Sequence, residues 1–413
     1  MTSLALRDAA TLIPFSGDGP VRGDGFEDIT VLHNTSMACE GDRIESVGET
    51  TAAVIEFDAT GCTIVPGFVD CHTHIPFYGW RADEDAARLT GVRYEDLHHG
   101  EGGIYRSARM VAQATDAEVL AFSDRLVLAM LRSGTTTFEM KSGYGLSVDA
   151  ELRQLRLARE LSSRVPQHVE VTCLAAHAVP KGKSQGEWIG EADELLGRAV
   201  REGLVSACDV YVESIAFSLE HAARLAKTSE SLGLRMRVHA DQLADSQTGA
   251  FAARSGFTSA DHLNHTSLDA VGDLAASDTA AVLLPGATFT LRQSKKPPAR
   301  DMIEAGAIVA LGTDLNPGTS PIHSMPFVMA LACRLYGLRP LEALAAATVN
   351  SAHVLGLGRE VGRLQPGYRA DAVVLDMPDL GHLTYRPDAD HVLAVVCAGE
   401  LTYVSPRAES RSN

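Results

Sequence analysis

His72 and His74 stand two residues apart at the end of the run Ile64-Val-Pro-Gly-Phe-Val-Asp-Cys-His-Thr-His74. In an extended chain, residues i and i+2 share a face, so the two imidazoles project together as half of a metal site. Ionisable residues close one apolar segment after another further along: Glu139 with Lys141, then His177, His239, His262 and Asp314. Each has a structural explanation when taken alone, such as an Asx turn at Asp314 or a Lys141–Glu139 ion pair. Together they describe a single rim of polar groups. His72, His74 and His239 supply imidazole nitrogens and Asp314 a carboxylate, a set suited to one zinc or iron ion per chain. Such an ion lowers the pKa of its water from about 15.7 to about 7, and Asp314 is placed to accept the proton. Cys71 lies between these groups in sequence, faces the other way and reads as packing.

The elements that must position these groups alternate in kind. Eight apolar segments, at residues 64–69, 135–140, 169–174, 207–212, 234–238, 258–262, 280–284 and 307–311, read as strands. Helical patterns separate most of them. Thr115 and Glu118 have capping-box spacing ahead of Val119, Phe122, Leu126 and Met130, and residues 218–232, 266–276 and 297–305 read similarly. The expected architecture is α/β: a (β/α)8 TIM-type barrel, with chemistry at the C-terminal strand ends. A doubly wound sheet competes, but neither G-x-G-x-x-G nor a P-loop follows the first strand. Both ends of the chain are β-rich, with a strand at 30–33, a hairpin over 37–47 turning at Gly41-Asp42, and strands at 372–375, 392–396 and 401–404. They are expected to pair into a small β-sandwich domain, dividing the chain into 1–63, 64–358 and 359–413.

Composition narrows the partners. The 413 residues carry 36 Lys and Arg against 53 Asp and Glu, a net charge of −17. That balance argues against nucleic acid and anionic membrane, so an anionic substrate needs a local Arg or Lys. Seven scattered cysteines without C-x-x-C fit reduced thiols. With no signal peptide and no apolar run of ~18 residues, a cytoplasmic location is expected.

Several stretches are far more particular: Pro66-Gly-Phe-Val-Asp-Cys-His-Thr-His74, Lys141-Ser-Gly-Tyr-Gly-Leu146, Ala176-His-Ala-Val-Pro180, His239-Ala-Asp-Gln242, Ser259-Ala-Asp-His-Leu263 and Thr313-Asp-Leu-Asn-Pro-Gly-Thr-Ser320. Over about residues 64–375 the chain resembles the amidohydrolase superfamily. Within it, the resemblance is to enzymes of histidine degradation that hydrolyse the lactam C–N bond of 4-imidazolone-5-propanoate to N-formimidoyl-L-glutamate. The resemblance implies a small anionic heterocyclic substrate and a homodimer. It puts metal ligands on His72, His74, His239 and Asp314, substrate contacts on Arg81, Tyr94, Tyr144, His177, Gln242, Asn316, Gly318 and Thr319, and His262 near the chemistry.

Elementary chemistry agrees with these assignments. Arg81 can grip a propionate as a charge-assisted fork. His177 or the metal can polarise the ring carbonyl, a stabilisation worth about 2.7–4 kcal/mol. His262 can shuttle a proton to the leaving nitrogen, and the Asn316–Gly318 loop can offer its amides. Gln242 stands where some relatives have Glu; an amide is no base, so it orients. Simpler roles remain open at this stage: Arg81 paired with Asp83 or Glu84, tyrosines as packing, Gly318 as a turn. Three other functions compete, namely deamination of a cyclic amidine by a mononuclear aminohydrolase, a non-catalytic metal scaffold, and a dinuclear site bridged by a carboxylated Lys141.

Overall fold

The computed structural model describes residues 3–48, 52–92, 96 and 102–409. Eight parallel strands run in sequential order around the core: β1 (Phe68–Asp70), β2 (Thr135–Lys141), β3 (His168–Ala176), β4 (Ala207–Tyr211), β5 (Arg235–Ala240), β6 (Ser259–His262), β7 (Ala280–Leu283) and β8 (Val309–Leu311). Helices lie between most of them, as a (β/α)8 barrel requires. Helix Asp116–Arg132 starts with the full Thr115–Glu118 capping box and buries Val119, Leu120 and Met130. Ser218 and Ser267 precede helices Leu219–Ser231 and Leu268–Ala275 at the places their patterns indicated.

The stretch expected as one opening strand is two. Thr63–Pro66 belongs to the sheet built by the chain ends, and only Phe68–Asp70 enters the barrel. Gly67 makes the crossing, donating its N–H to Asp371 O at 3.0 Å. A Cβ there would lie 2.1 Å from Thr136 Oγ1, so the β1–β2 approach requires glycine.

The ends of the chain do pair. Thr63–Pro66 lies antiparallel to Ala372–Leu375, with Ile64 opposite Val374. From this junction the sheet extends through Val392–Cys397 and Glu400–Val404 on one side, and Ser3–Leu12, Leu32–Glu40 and Arg43–Gly48 on the other. It encloses its own core of Leu4, Leu6, Met37, Ile64, Val374 and Val396.

Within the barrel, the period of two along each strand sorts side chains by chemistry. On β1 and just beyond it, Val69 and Cys71 pack with Ala280, Val282, Ile308 and Ala352. Asp70, His72 and His74 occupy the alternate positions. The same alternation brings Glu139 with Lys141, Asp209 with Tyr211, Arg237 with His239, and Ser259 with Asp261 to one face. The upper interior is therefore filled by charged groups. β1 and β8 share no ladder. The seam between them closes just above the strands, where Asp70 accepts from Thr313 N (2.9 Å) and Thr313 Oγ1 (2.6 Å). Backbone bonds run from Asp314 N to His72 O and from His74 N to Leu315 O, both at 2.9 Å.

Candidate metal centre

The seam brings distant parts of the chain to one point. His74 Nε2 lies 3.3 Å from His72 Nε2, 3.5 Å from His239 Nε2 and 3.1 Å from Asp314 Oδ1. His72 Nε2 lies 3.6 Å from the same Asp314 oxygen. A tetrahedral ion with bonds of about 2.0–2.2 Å needs donors roughly 3.3–3.6 Å apart. The separations of 3.1–3.6 Å suit such an ion, and three imidazoles with a carboxylate are a donor set that zinc and iron accept; His72, His74 and Asp314 form one compact group of donors. His262 also comes within reach, grouping with His72 and His239.

Burial prepares the donors. It pushes His72 and His74 well below the usual imidazole range, helped by nearby Lys141 and the other histidines. They are neutral and can ligate without first losing a proton. The Nδ1 atom of His72 faces Asp261 Oδ2 at 2.6 Å, and that of His239 faces Asp209 Oδ2 at 3.1 Å. These carboxylates fix the tautomer that leaves each Nε2 bare toward the centre. Burial raises the Asp314 carboxyl, against the pull of His262 and His239. It drives His262 down to about 3. Both His262 (φ 80°) and Asp314 (φ 54°) hold left-handed backbone, a conformation uncommon for non-glycine residues.

A cleft above the donors is lined by His74, Arg81, Tyr144, His177, His239, Gln242, His262, Asp314, Asn316 and Thr319. These are ten of the thirteen residues singled out in the sequence; His72 lies beneath them. Gly318 is not in the lining but behind it, against the Arg81 guanidinium, and a Cβ there would sit 1.8 Å from Arg81 Nη2. Tyr94 falls outside the described residues. The cleft adds Tyr211 and Ile104, which the sequence reading missed. Tyr211 ends β4, so its place at a C-terminal strand end was the available signal.

Hydrogen bonding refines several roles. Arg81 is buried and gives Nη1 to Glu84 Oε2 at 3.1 Å, the pairing weighed above, while its buried Nε bonds to nothing among the described residues. His177 Nδ1 lies 3.2 Å from Gly143 O, which fixes its proton there and leaves Nε2 as an acceptor. Burial keeps His177 neutral, and its ring stacks on His74 at 5.0 Å. The loop amides expected to meet a substrate are already used: Gly318 N and Thr319 N both donate to Asn316 Oδ1, at 2.9 and 2.7 Å. The Asn316 amide nitrogen donates to Asp314 O and Thr319 Oγ1. This loop contributes shape and holds Asp314. Lys141 bridges Glu139 (2.7 Å) and Asp209 (2.8 Å) in full burial, which includes the expected pair with Glu139.

The amidohydrolase family profile matches residues 63–402. An imidazolonepropionase of Rubrobacter xylanophilus is 42% identical, covering 97% of this chain and 98% of its own length. One from Symbiobacterium thermophilum is 41% identical, covering 96% of each. Among solved structures, a zinc-bound adenosine deaminase from Xanthomonas campestris superposes with a TM-score of 0.71 at 19% identity, over 97% of this chain and 93% of that one.

Proposed function

The chain belongs to the amidohydrolase family, in its imidazolonepropionase branch, and from that premise we propose that it hydrolyses the lactam C–N bond of 4-imidazolone-5-propanoate to N-formimidoyl-L-glutamate. We assign one zinc or iron ion to His72, His74, His239 and Asp314. The observation that carries the reading is the convergence of these four donors beside a buried guanidinium, Arg81. Held by these four residues, such an ion would supply an acidified water and polarise the ring carbonyl.

The protein's own groups do the rest. Arg81 holds the propionate, with its unpaired Nε as one donor. His177, with Nδ1 committed to Gly143, accepts a ring N–H through Nε2 and so orients the substrate; this replaces carbonyl polarisation as its role. Asp314, its carboxylate at the centre beside His74, takes the proton of the attacking water. The water oxygen bonds to the ring carbonyl carbon, the C–N bond breaks, and the nitrogen receives the proton. His262, neutral at working pH, assists by accepting on one ring nitrogen while releasing from the other. Tyr144 and Gln242 wall the cleft and orient the ring.

Lys141 argues for one ion rather than two. A carboxylated lysine would be an anion, and an anion cannot sit between Glu139 and Asp209 at these distances. The seven cysteines carry no disulfide among the described residues, in keeping with a cytoplasmic enzyme, and a homodimer follows from the family resemblance.

The test is consumption of 4-imidazolone-5-propanoate, with metal content measured in parallel. Arg81→Ala should lower kcat/KM at least 100-fold, chiefly through KM, and spare an analogue lacking the propionate. A fully metallated protein that ignores this substrate but deaminates a cyclic amidine would refute the assignment.

A further inference from the structure

Behind the donors lies an unbroken chain of buried charges. From His72 Nδ1 it passes to Asp261 (2.6 Å), to Arg237 Nη2 (2.7 Å), and from Arg237 Nη1 to Glu139 (2.5 Å). It continues from Glu139 to Lys141 Nζ (2.7 Å), to Asp209 (2.8 Å) and to His239 Nδ1 (3.1 Å). Every side chain in it is at most 3% exposed. Three carboxylates alternate with two cations, so Arg237, Glu139 and Lys141 each meet the opposite charge on both sides, while Asp261 and Asp209 face a cation on one side and a ligand imidazole on the other. Four strands contribute: β2, β4, β5 and β6. His74 stands outside it, since its Nδ1 has no hydrogen-bond partner among the described residues.

We propose that Lys141 and Arg237 are positioning residues for the metal: joined through Glu139, they lock the carboxylates behind His72 and His239 into one unit that sets how tightly the ion is held. The inference rests on the ligand assignment made above. Asp261 and Asp209 touch ligands directly, and partners of that kind are worth about 10–100-fold in metal affinity. Lys141, Arg237 and Glu139 touch no ligand, yet they supply the countercharge without which two buried carboxylates could not keep their geometry. The cations also lie next to an ion of the same sign, which the three carboxylates offset. Every member is buried and bonded to its neighbours, so a cut in the middle is felt at both ends.

The test is competition for zinc between the full-length protein and a chromophoric chelator, with thermal unfolding of the metal-free protein followed alongside. Glu139→Gln, which keeps shape and removes charge, and Lys141→Met should each weaken zinc binding about 10–100-fold while one equivalent still binds. Arg237→Lys, which keeps the charge, should lose less than Arg237→Gln. Wild-type zinc affinity in both Glu139→Gln and Lys141→Met overturns the proposal, and if Lys141→Met does not fold, Glu139→Gln decides alone. His72→Ala and His239→Ala separate the two ideas: zinc retained in both overturns the ligand assignment, whereas zinc lost in both beside unaffected Glu139→Gln sinks only the charge chain.

Discussion

At the scale of single residues, Gly318 shows how a small side chain can be a substrate determinant without touching substrate. Its missing Cβ is where the Arg81 guanidinium lies, and Arg88 Nη2 donates to its carbonyl at 2.9 Å. Gly318→Ala should push the flexible end of Arg81 aside. The expected result is a KM raised at least 10-fold with kcat less affected, and an unfolding free energy within about 1 kcal/mol of wild type. Steady-state kinetics and urea unfolding of the one variant check both halves. The proposed ligands were legible because they end strands at a rim. The carboxylates and cations behind them were less so, because Asp209 and Arg237 sit inside short apolar strands where a single charge reads as noise. The signal was the i, i+2 spacing of Arg237 to His239 and Asp209 to Tyr211, which repeats the His72–His74 spacing. The loop donors were misread for a different reason: sequence shows that Asn316 can donate, not that its own loop has already engaged it.

At the scale of elements, Glu151 organises the Lys141–Leu146 loop from the following helix, Val148–Ser162. Its buried carboxylate accepts from Gly143 N (2.9 Å), Gly145 N (2.6 Å) and Leu146 N (3.0 Å). That loop carries Tyr144 and presents Gly143 O to His177. Glu151→Ala leaves three backbone donors buried, so a loss of about 2–4 kcal/mol in urea unfolding is expected, with a fall in kcat/KM. Glu170 acts at the opposite end of β3, away from the rim. Burial alone would raise it, but bonds from His168, Ser206 and Arg235 outweigh this and hold it at about 2 instead of 4.5. A lowered carboxyl stabilises the fold above pH 4.5, and that contribution fades as pH falls toward 2. Glu170→Gln should therefore be less stable than wild type at pH 7, with the gap narrowing below pH 4.5 and kcat unchanged. Unfolding midpoints across that pH range measure it. Strand periodicity exposed all eight barrel strands; Gly67 was the one place where it ran two elements together, because hydrophobicity continues straight through a change of sheet.

At the scale of the whole molecule, a chain of charge −17 must admit an anion. Beside the Arg81 loop lies a cavity of about 360 Å³ lined by Arg88, His265, Arg292 and Lys295, with no acidic side chain in its described lining. Its wall meets the cleft where Gln293 Nε2 donates to Gln242 O at 3.0 Å. Basic groups beside the cleft of a negative body would focus the field and steer small anions toward it. Lys295→Glu should lower kcat/KM several-fold at low ionic strength, with the deficit shrinking as salt approaches 0.5 M, about where exposed charges are screened within a few ångströms. A salt series on the two proteins decides it. Among the described residues, no helix is long and apolar enough to cross a membrane.

The open join between β1 and β8 has a bearing on biogenesis. His72 and His74 follow the first barrel strand to leave the ribosome, and Asp314 follows the last. A truncated product can present the leading imidazoles but lacks the final carboxylate, so it has no complete set of donors to capture the ion. On the ligand assignment proposed above, loading would therefore wait until translation had reached the eighth strand and the cylinder had shut, and the ion would double as a rivet driven only through a finished wall.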